Sequence, residues 1–284
     1  MKLKDINVRD PFIFIENEKI YIYRTLCQNA TEGEEKGFCV LISENGENFE
    51  KKVIFRANES FWADLDYWAP EMHKIDGKYY LFASFKREGR CRASHILVCD
   101  TPDGTFVPLP EQLTPHEWEC LDATYFEDNG KRYTIFCHEW LQCGDGEMIL
   151  GELDENFCVR GKLKKLFNAS SAPWVREHQP QKYVTDGPFL YRLKSGKILM
   201  LWSSFGEEGY AMGMATADRI DGEWQHIKKP LVSQNGGHGM LFERDERLFV
   251  TYHSPNDPVG SERTNIAEVI ENNDALEIKE NYDD

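Results

Sequence analysis

Three aspartates open apolar runs in this chain: Asp10 in Arg9-Asp10-Pro11-Phe12, Asp122 in Leu121-Asp122-Ala123-Thr124 and Asp186 in Thr185-Asp186-Gly187-Pro188. Carboxyl groups gathered in one cleft divide proton work when their surroundings differ. One stays ionised and takes a proton from water; another stays protonated and gives one to a leaving oxygen. Pro11 fixes its own φ and biases Asp10 toward extended backbone, which helps aim that side chain. The plainer reading makes Asp10 a turn residue paired with Arg9, and Asp122 a turn or strand-start residue. A fourth acid, Glu139, stands in His138-Glu139-Trp140 at the end of an apolar run. It either faces the same cleft, as do the corresponding strand-end residues Ser84 and His253, or is a solvated strand end.

What would position these acids is a pattern that occurs five times. RDPFIFIENEKIYIY begins at Arg9, WAPEMHKIDGKYYLF at Trp68, LDATYFEDNGKRYTIF at Leu121, DGPFLYRLKSGKILMLW at Asp186 and GGHGMLFERDERLFVTYH at Gly236. Each has a small or turn-forming opener, an apolar run, a turn and a second apolar run, which reads as a β-hairpin. Asp76-Gly77, Asn129-Gly130 and Ser195-Gly196 sit in the turns, where such pairs are strong hairpin signals. The residues that start the second runs, Lys19, Lys78, Lys131, Lys197 and Arg247, are spaced 59, 53, 66 and 50 apart. That period suits a propeller blade of four strands.

The remaining strands follow in order. They are GFCVLIS and FEKKVIF, then SHILVCD and Gly104-Thr105-Phe106, then EMILGELD and LKKLF. YAMGMATAD and DGEWQ complete the fourth group, and TNIAEVI and ALEIKE the fifth. The pattern predicts an all-β fold: a five-bladed β-propeller with four-stranded antiparallel blades around a central axis, one domain over residues 1–284. An array of β-sandwich hairpins is the alternative. In the propeller the opener acids occupy equivalent ends and point at the centre. The pieces after Thr264 would pair with the first blade to close the ring, and the tail ENYDD would fray. No helix of three turns is expected.

Composition narrows the function. A net charge of −16 disfavours a nucleic-acid partner, which needs clustered Lys and Arg. No run approaches the roughly 18–20 apolar residues of a membrane span. The start, MKLKDINVRDPF, has no apolar stretch of a secretion signal, which points to a cytoplasmic protein. The eight cysteines form no CxxC pair and several lie in apolar runs, so reduced, buried thiols are expected. Nothing in the pattern fixes an oligomeric state. Aromatic faces beside candidate acids can pack on a ligand's apolar surface, which makes Trp68 and Trp140 binding candidates, whereas Trp202 and Trp224 read as core.

Taken in order, Val8-Arg9-Asp10-Pro11, Trp68-Ala69-Pro70-Glu71, Asp122-Ala123-Thr124, Thr185-Asp186-Gly187-Pro188 and Gly236-Gly237-His238-Gly239 resemble the blade openers of glycoside hydrolase family 43. The resemblance covers residues 5 to about 270. It implies inverting hydrolysis of arabinofuranosyl or xylosyl linkages in plant-derived oligosaccharides, with two carboxyl groups roughly 6.5–9.5 Å apart so that a water fits between. It makes Asp10 the general base, and Asp122 the acid that orients the general acid and raises its proton affinity. His238 matches an axial histidine that touches a calcium ion or water, and Arg263 an arginine that reaches the substrate. No cofactor is implied beyond a structural calcium on the axis.

The sequence departs from the family at Asp186, where the general acid is usually Glu. Asp is one methylene shorter, so its proton would sit roughly 1 Å from the expected place. Asp186 serves through an inward backbone shift, or Glu139 replaces it, or the protein is a weak or inactive propeller that binds carbohydrate. A glycosidase of another five-bladed propeller family is a further reading.

Overall fold

Each of the five repeated segments folds as the predicted antiparallel hairpin, and two further strands complete each sheet. The computed structural model describes residues 1–25 and 36–281. Blade one comprises Arg9–Glu16, Lys19–Thr25, Gly37–Ser43 and Glu50–Arg56. Blade two comprises Leu65–Ile75, Lys78–Arg87, Arg90–Cys99 and Val107–Pro108. Blade three comprises Cys120–Asp128, Lys131–His138, Glu147–Leu153 and Val159–Asn168. Blade four comprises Asp186–Arg192, Ile198–Gly206, Gly209–Ala217 and Gln225–His226. Blade five comprises Gly237–Arg244, Arg247–Ser254, Arg263–Asn272 and Ala275–Asn281. Chain order is spatial order in every sheet, and the first strands of neighbouring blades pack on one another around the axis. This is a five-bladed β-propeller.

The turns explain why the hairpins form. Asp76-Gly77 and Asn129-Gly130 have positive φ at both residues, the twist that continues a strand pair without splaying it. Asn17-Glu18 and Asp245-Glu246 make the same turn without glycine. Between blades, sheet faces close on apolar side chains. Phe38, Phe55, Phe61, Tyr67 and Phe85 form an edge-on aromatic cluster between blades one and two. Trp202 is fully buried and Trp224 nearly so, as expected of core residues. The only α-helix among the described residues is the single turn Trp140–Cys143, and no helix is long and apolar enough to cross a membrane. Cys91, Cys99, Cys120, Cys137, Cys143 and Cys158 are free thiols, and Cys27 lies outside the described residues.

Two expectations are corrected. The outer strand of blade two begins at Val107, just past Gly104-Thr105-Phe106, because Phe106 N–H is taken by the Ile54 carbonyl of blade one at 2.7 Å. The strands after Thr264 stay in blade five instead of joining blade one, whose four strands come from its own residues. Their last residues, Glu280 and Asn281, are paired and not frayed; residues 282–284 of ENYDD lie outside the described residues. The ring closes through Glu262, a fully buried side chain. It accepts hydrogen bonds from Asn7 Nδ2 (2.8 Å) and Arg9 Nη1 (3.1 Å), and its carbonyl accepts from Val8 N–H (3.2 Å).

Candidate active site

Where each first strand reaches the axis its pairing register skips, at Asp10-Pro11, Ala69-Pro70, Asp122-Ala123, Gly187-Pro188 and His238-Gly239. The first residue of each pair has positive φ: 50° at Asp10, 45° at Ala69, 55° at Asp122, 49° at Gly187 and 49° at His238. Asp10 is therefore not extended, as Pro11 alone would predict. Four of these residues are not glycine, and such backbone is held by its surroundings. The bulge N–H supplies the hold by bonding to the neighbouring blade. Ala69 N–H donates to Thr25 Oγ1 (2.7 Å), Asp122 N–H to Ser84 Oγ (2.8 Å) and His238 N–H to Ser203 Oγ (2.8 Å). Asp10 N–H donates to His253 Nδ1 (3.2 Å), which carries the ring across the seam between blades five and one. The fifth joint differs: Gly187 N–H donates to the Asp122 carboxylate, at Oδ2 (3.0 Å).

The same skips correct the equivalence of the acids. Asp10 and Asp122 occupy the bulge, whereas Asp186 lies one residue before it and pairs with Ser203; Gly187 holds the bulge position in blade four. Non-glycine residues hold the same φ at the other four bulges, so what calls for glycine here is space: a Cβ would come within 2.8 Å of the His238 ring.

Asp10, Asp122 and Asp186 converge on His238. His238 Nδ1 lies 3.2 Å from Asp10 Oδ1 and 3.8 Å from Asp122 Oδ2. Thr25 Oγ1 donates to Asp10 Oδ2 at 2.5 Å, and Arg9 Nε lies 3.9 Å from that oxygen. Burial alone would raise the Asp10 pKa, but His238 and Arg9 hold it down at about 2. Asp186 is the reverse. Burial and the neighbouring Asp122 push it up to about 7, against opposing pulls from His238 and from Tyr210, whose hydroxyl donates to Oδ2 at 3.0 Å. Asp122 is also raised, by burial and by Asp10, with His238, Gly187 N–H and Ser84 opposing. Burial disfavours charge on His238, yet Asp10, Asp122 and Asp186 raise its pKa. His253 is held down at about 4 by burial, so it stays neutral, accepting from Asp10 N–H at Nδ1 and donating from Nε2 to Asn256 Oδ1.

The other candidates are placed as follows. Glu139 lies two residues beyond Cys137, which is the register counterpart of Ser84 and His253. It is buried and accepts from Arg92 Nε at 3.3 Å. Burial raises its pKa and Arg92 opposes. Trp68 is half-buried with the Arg92 guanidinium 3.9 Å over its ring. Trp140 heads the short helix and meets His178 edge-on, and His178 stacks on Phe205. Arg263 Nη1 donates to the Ser261 and Glu262 carbonyls, and no bond from it to the acids is seen. Arg9 is the guanidinium beside Asp10. Ser84 and His253 do face the site. Thr25, Ser203, Tyr210 and Arg92 were missed, although a hydroxyl near the end of the second apolar run in three of the five repeats was a usable signal.

The residues on the axis do not fit a protein cage for calcium. The cavity below His238 is about 20 Å³, room for one water. Asp10 and Asp122 face His238, and the one further carboxylate lining the cavity, Glu71, is bonded to Thr124 and His73. Calcium takes about six to eight oxygens. Away from the axis, His138, Cys143 and Glu147 bring ligand atoms within 4.8 Å of one another. His138 is engaged by Glu147 and Gln142, and Cys143 by main-chain carbonyls.

Comparison with known proteins agrees with this geometry. An endo-arabinase structure from Bacteroides thetaiotaomicron is 34% identical, with a TM-score of 0.88, covering 96% of this chain and 98% of its own. An extracellular exo-α-(1→5)-L-arabinofuranosidase of Streptomyces chartreusis is 29% identical over 197 residues, 65% of this chain and 58% of the relative. A xylosidase/arabinosidase 43A of Humicola insolens is 26% identical over 165 residues, 50% of this chain and 47% of the relative. The chain thus spans about half the length of these curated relatives. The sequence model of glycosyl hydrolases family 43 matches residues 4–273, nearly the full propeller, and the chain belongs to that family.

Proposed function

We propose that this protein is an inverting glycoside hydrolase acting on arabinofuranosyl or xylosyl linkages in plant-derived oligosaccharides. The observation that carries the reading is the opposed proton affinity of two buried acids beside one histidine: Asp10 at about 2 and Asp186 at about 7. Near neutral pH the first is ionised and the second substantially protonated, which is the division of labour inversion requires. Asp10 takes a proton from the attacking water as its oxygen bonds to the anomeric carbon. The bond to the leaving oxygen breaks, and Asp186 gives that oxygen its proton. Asp122 raises the proton affinity of Asp186 and braces Gly187. Glu139, held by Arg92, is the alternative acid. Trp68 and Trp140 offer ring faces for sugar, and His238 keeps Asp10 ionised.

The relatives named for arabinose chemistry favour the arabinofuranosyl side of this reading. No step requires a cofactor. Six free cysteines support work in a reducing compartment. The test is a panel of aryl α-L-arabinofuranosides, β-D-xylosides and β-D-galactosides together with arabinan and xylan oligosaccharides, run beside Asp10→Asn. The mutant should lose at least about 1,000-fold in kcat while binding product with little change, because shape persists and only the base is lost. Near-normal turnover in Asp10→Asn would remove Asp10 from the mechanism. Retention of configuration in the first product, seen by NMR, would reject inversion.

A further inference from the structure

The ring of inter-blade hydrogen bonds is regular at four joints and altered at one. At the regular joints a side chain on the second strand accepts the next blade's bulge N–H: Thr25 for Ala69, Ser84 for Asp122, Ser203 for His238 and His253 for Asp10. The register counterpart in blade three is Cys137, paired with Leu121 as Ser84 is with Trp68. Cys137 is fully buried, its hydrogen bond runs to Met148 Sδ at 3.9 Å, and the buried Thr185 side chain is its other polar neighbour. A neutral thiol is a weak acceptor, and burial with Asp122 and Asp186 nearby pushes its pKa well up, so it stays a thiol. The N–H it does not take, that of Gly187, goes to Asp122 Oδ2 at 3.0 Å.

Blade one shows what a hydroxyl does in this place. Thr25 Oγ1 stands between the two groups, donating to Asp10 Oδ2 and accepting from Ala69 N–H. Asp10 therefore touches the next blade through an intermediary, and Asp122 touches it directly. Gly187 immediately follows Asp186, so the direct contact ties Asp122 to the backbone that carries the proposed acid.

We propose that Cys137 is a positioning residue: by not competing for Gly187 N–H, it leaves that donor to Asp122 and fixes Asp122 against Asp186. The proposal rests on the assignment of Asp122 and Asp186 above. It predicts an inverted order of severity. Cys137→Ser, nearly isosteric, installs an acceptor that intercepts Gly187 N–H as Ser84 and Ser203 do at their joints. Cys137→Ala installs none.

The experiment measures kcat/KM against pH for the full chain and both variants, on an arabinan or xylan oligosaccharide, whose leaving group needs protonation. Thermal unfolding is followed in parallel, and Asp122→Asn serves as control. In Cys137→Ser, kcat/KM should fall at least about tenfold. Its alkaline limb should move to lower pH, since an Asp122 drawn away from Asp186 no longer raises its proton affinity. In Cys137→Ala the alkaline limb should stay at the wild-type pH, whatever rate is lost to packing. A folded Cys137→Ser with wild-type rate and limb overturns the proposal. Should Cys137→Ser fail to fold, Cys137→Thr, which installs the hydroxyl that Thr25 presents at its joint, takes its place: a limb moved to lower pH sustains the proposal and an unmoved one overturns it. The control separates the two ideas. Wild-type turnover in Asp122→Asn rejects the site assignment itself, whereas an inactive Asp122→Asn beside an unaffected Cys137→Ser rejects only the role of Cys137.

Discussion

Tyr210→Phe tests the proposed acid without touching a carboxyl group. The Tyr210 hydroxyl donates to Asp186 Oδ2 at 3.0 Å, and burial with Asp186 alongside keeps the phenol far above its ordinary pKa, so it remains a donor across the working range. A donor on a carboxylate favours the ionised form. Removing it leaves the protonated form of Asp186 relatively better and raises its pKa from about 7. A hydrogen bond to a charged group is worth about 1.5–3 kcal/mol, and roughly 1.4 kcal/mol corresponds to one pKa unit. If about half of the bond survives as a difference between the two protonation states, the alkaline limb of kcat/KM should move up by roughly half to one pH unit. The plateau should fall as well, because with Oδ2 occupied by Tyr210 the acidic proton sits on Oδ1, and without that bond the carboxyl rotates. The assay is kcat/KM from about pH 4 to pH 10 on an unactivated oligosaccharide, where protonation of the leaving group matters most. A limb that stays put, or moves to lower pH, would refute Asp186 as the titrating acid.

Leaving-group dependence separates the two candidate acids. Asp186→Asn should retain activity on activated aryl glycosides and lose about 100- to 10,000-fold on natural linkages, whereas Glu139→Gln should leave the ratio unaltered; the reverse would give Glu139 the role. Thr25→Val removes both a donor to Asp10 and the acceptor of Ala69 N–H. It should cost about 1–3 kcal/mol in urea unfolding, and an unchanged midpoint would reject the ring as a stabilising feature. Chelation by EDTA should leave kcat unchanged, and a fall reversed by calcium would show that an ion does more than the axial residues suggest.

The hairpins were legible because turn chemistry and apolar runs are local. Asp76-Gly77 and Asn129-Gly130 need no tertiary context to turn a strand back. The openers were legible as a set, and two of the three aspartates stand where the repeat placed them. The offset of Asp186 was not, because the bulge position is fixed by cross-strand register and by an N–H bonded to another blade. Neither is written in the tripeptide Asp186-Gly187-Pro188. Closure was misread for a similar reason: exchange of a strand and burial of Glu262 leave similar traces in a terminal sequence. Arg263 was matched through the family resemblance, but which arginine reaches an acid depends on the side chain's own partners. Arg9 is held beside Asp10 by Glu262, and Arg92 is held by Asp66 and Glu139.

A ring of five similar blades poses a problem for acid–base chemistry, since equivalent positions tend toward equivalent proton affinities. Here the backbone is repeated and the side chains break the symmetry. The cationic groups gather at the seam: Arg9 from blade one and His238 from blade five, both within 4 Å of Asp10, while neutral His253 takes the Asp10 N–H. Asp10 is thereby the acid that stays ionised. Asp186, across the axis on blade four, has a neutral phenol as its hydrogen-bond partner and is pushed by burial and by Asp122 toward the protonated form. Asp122 faces both sides, drawn toward ionisation by His238 and Gly187 N–H and away from it by burial and Asp10. Its charge is what couples the two halves. The shorter side chain at position 186 is tolerable on this view because its proton affinity comes from enclosure and from Asp122, neither of which depends on the missing methylene. The same reasoning says where an exchange of roles would start: moving positive charge from the seam toward blade four should lower Asp186 and raise Asp10, and the enzyme should fail before the fold does.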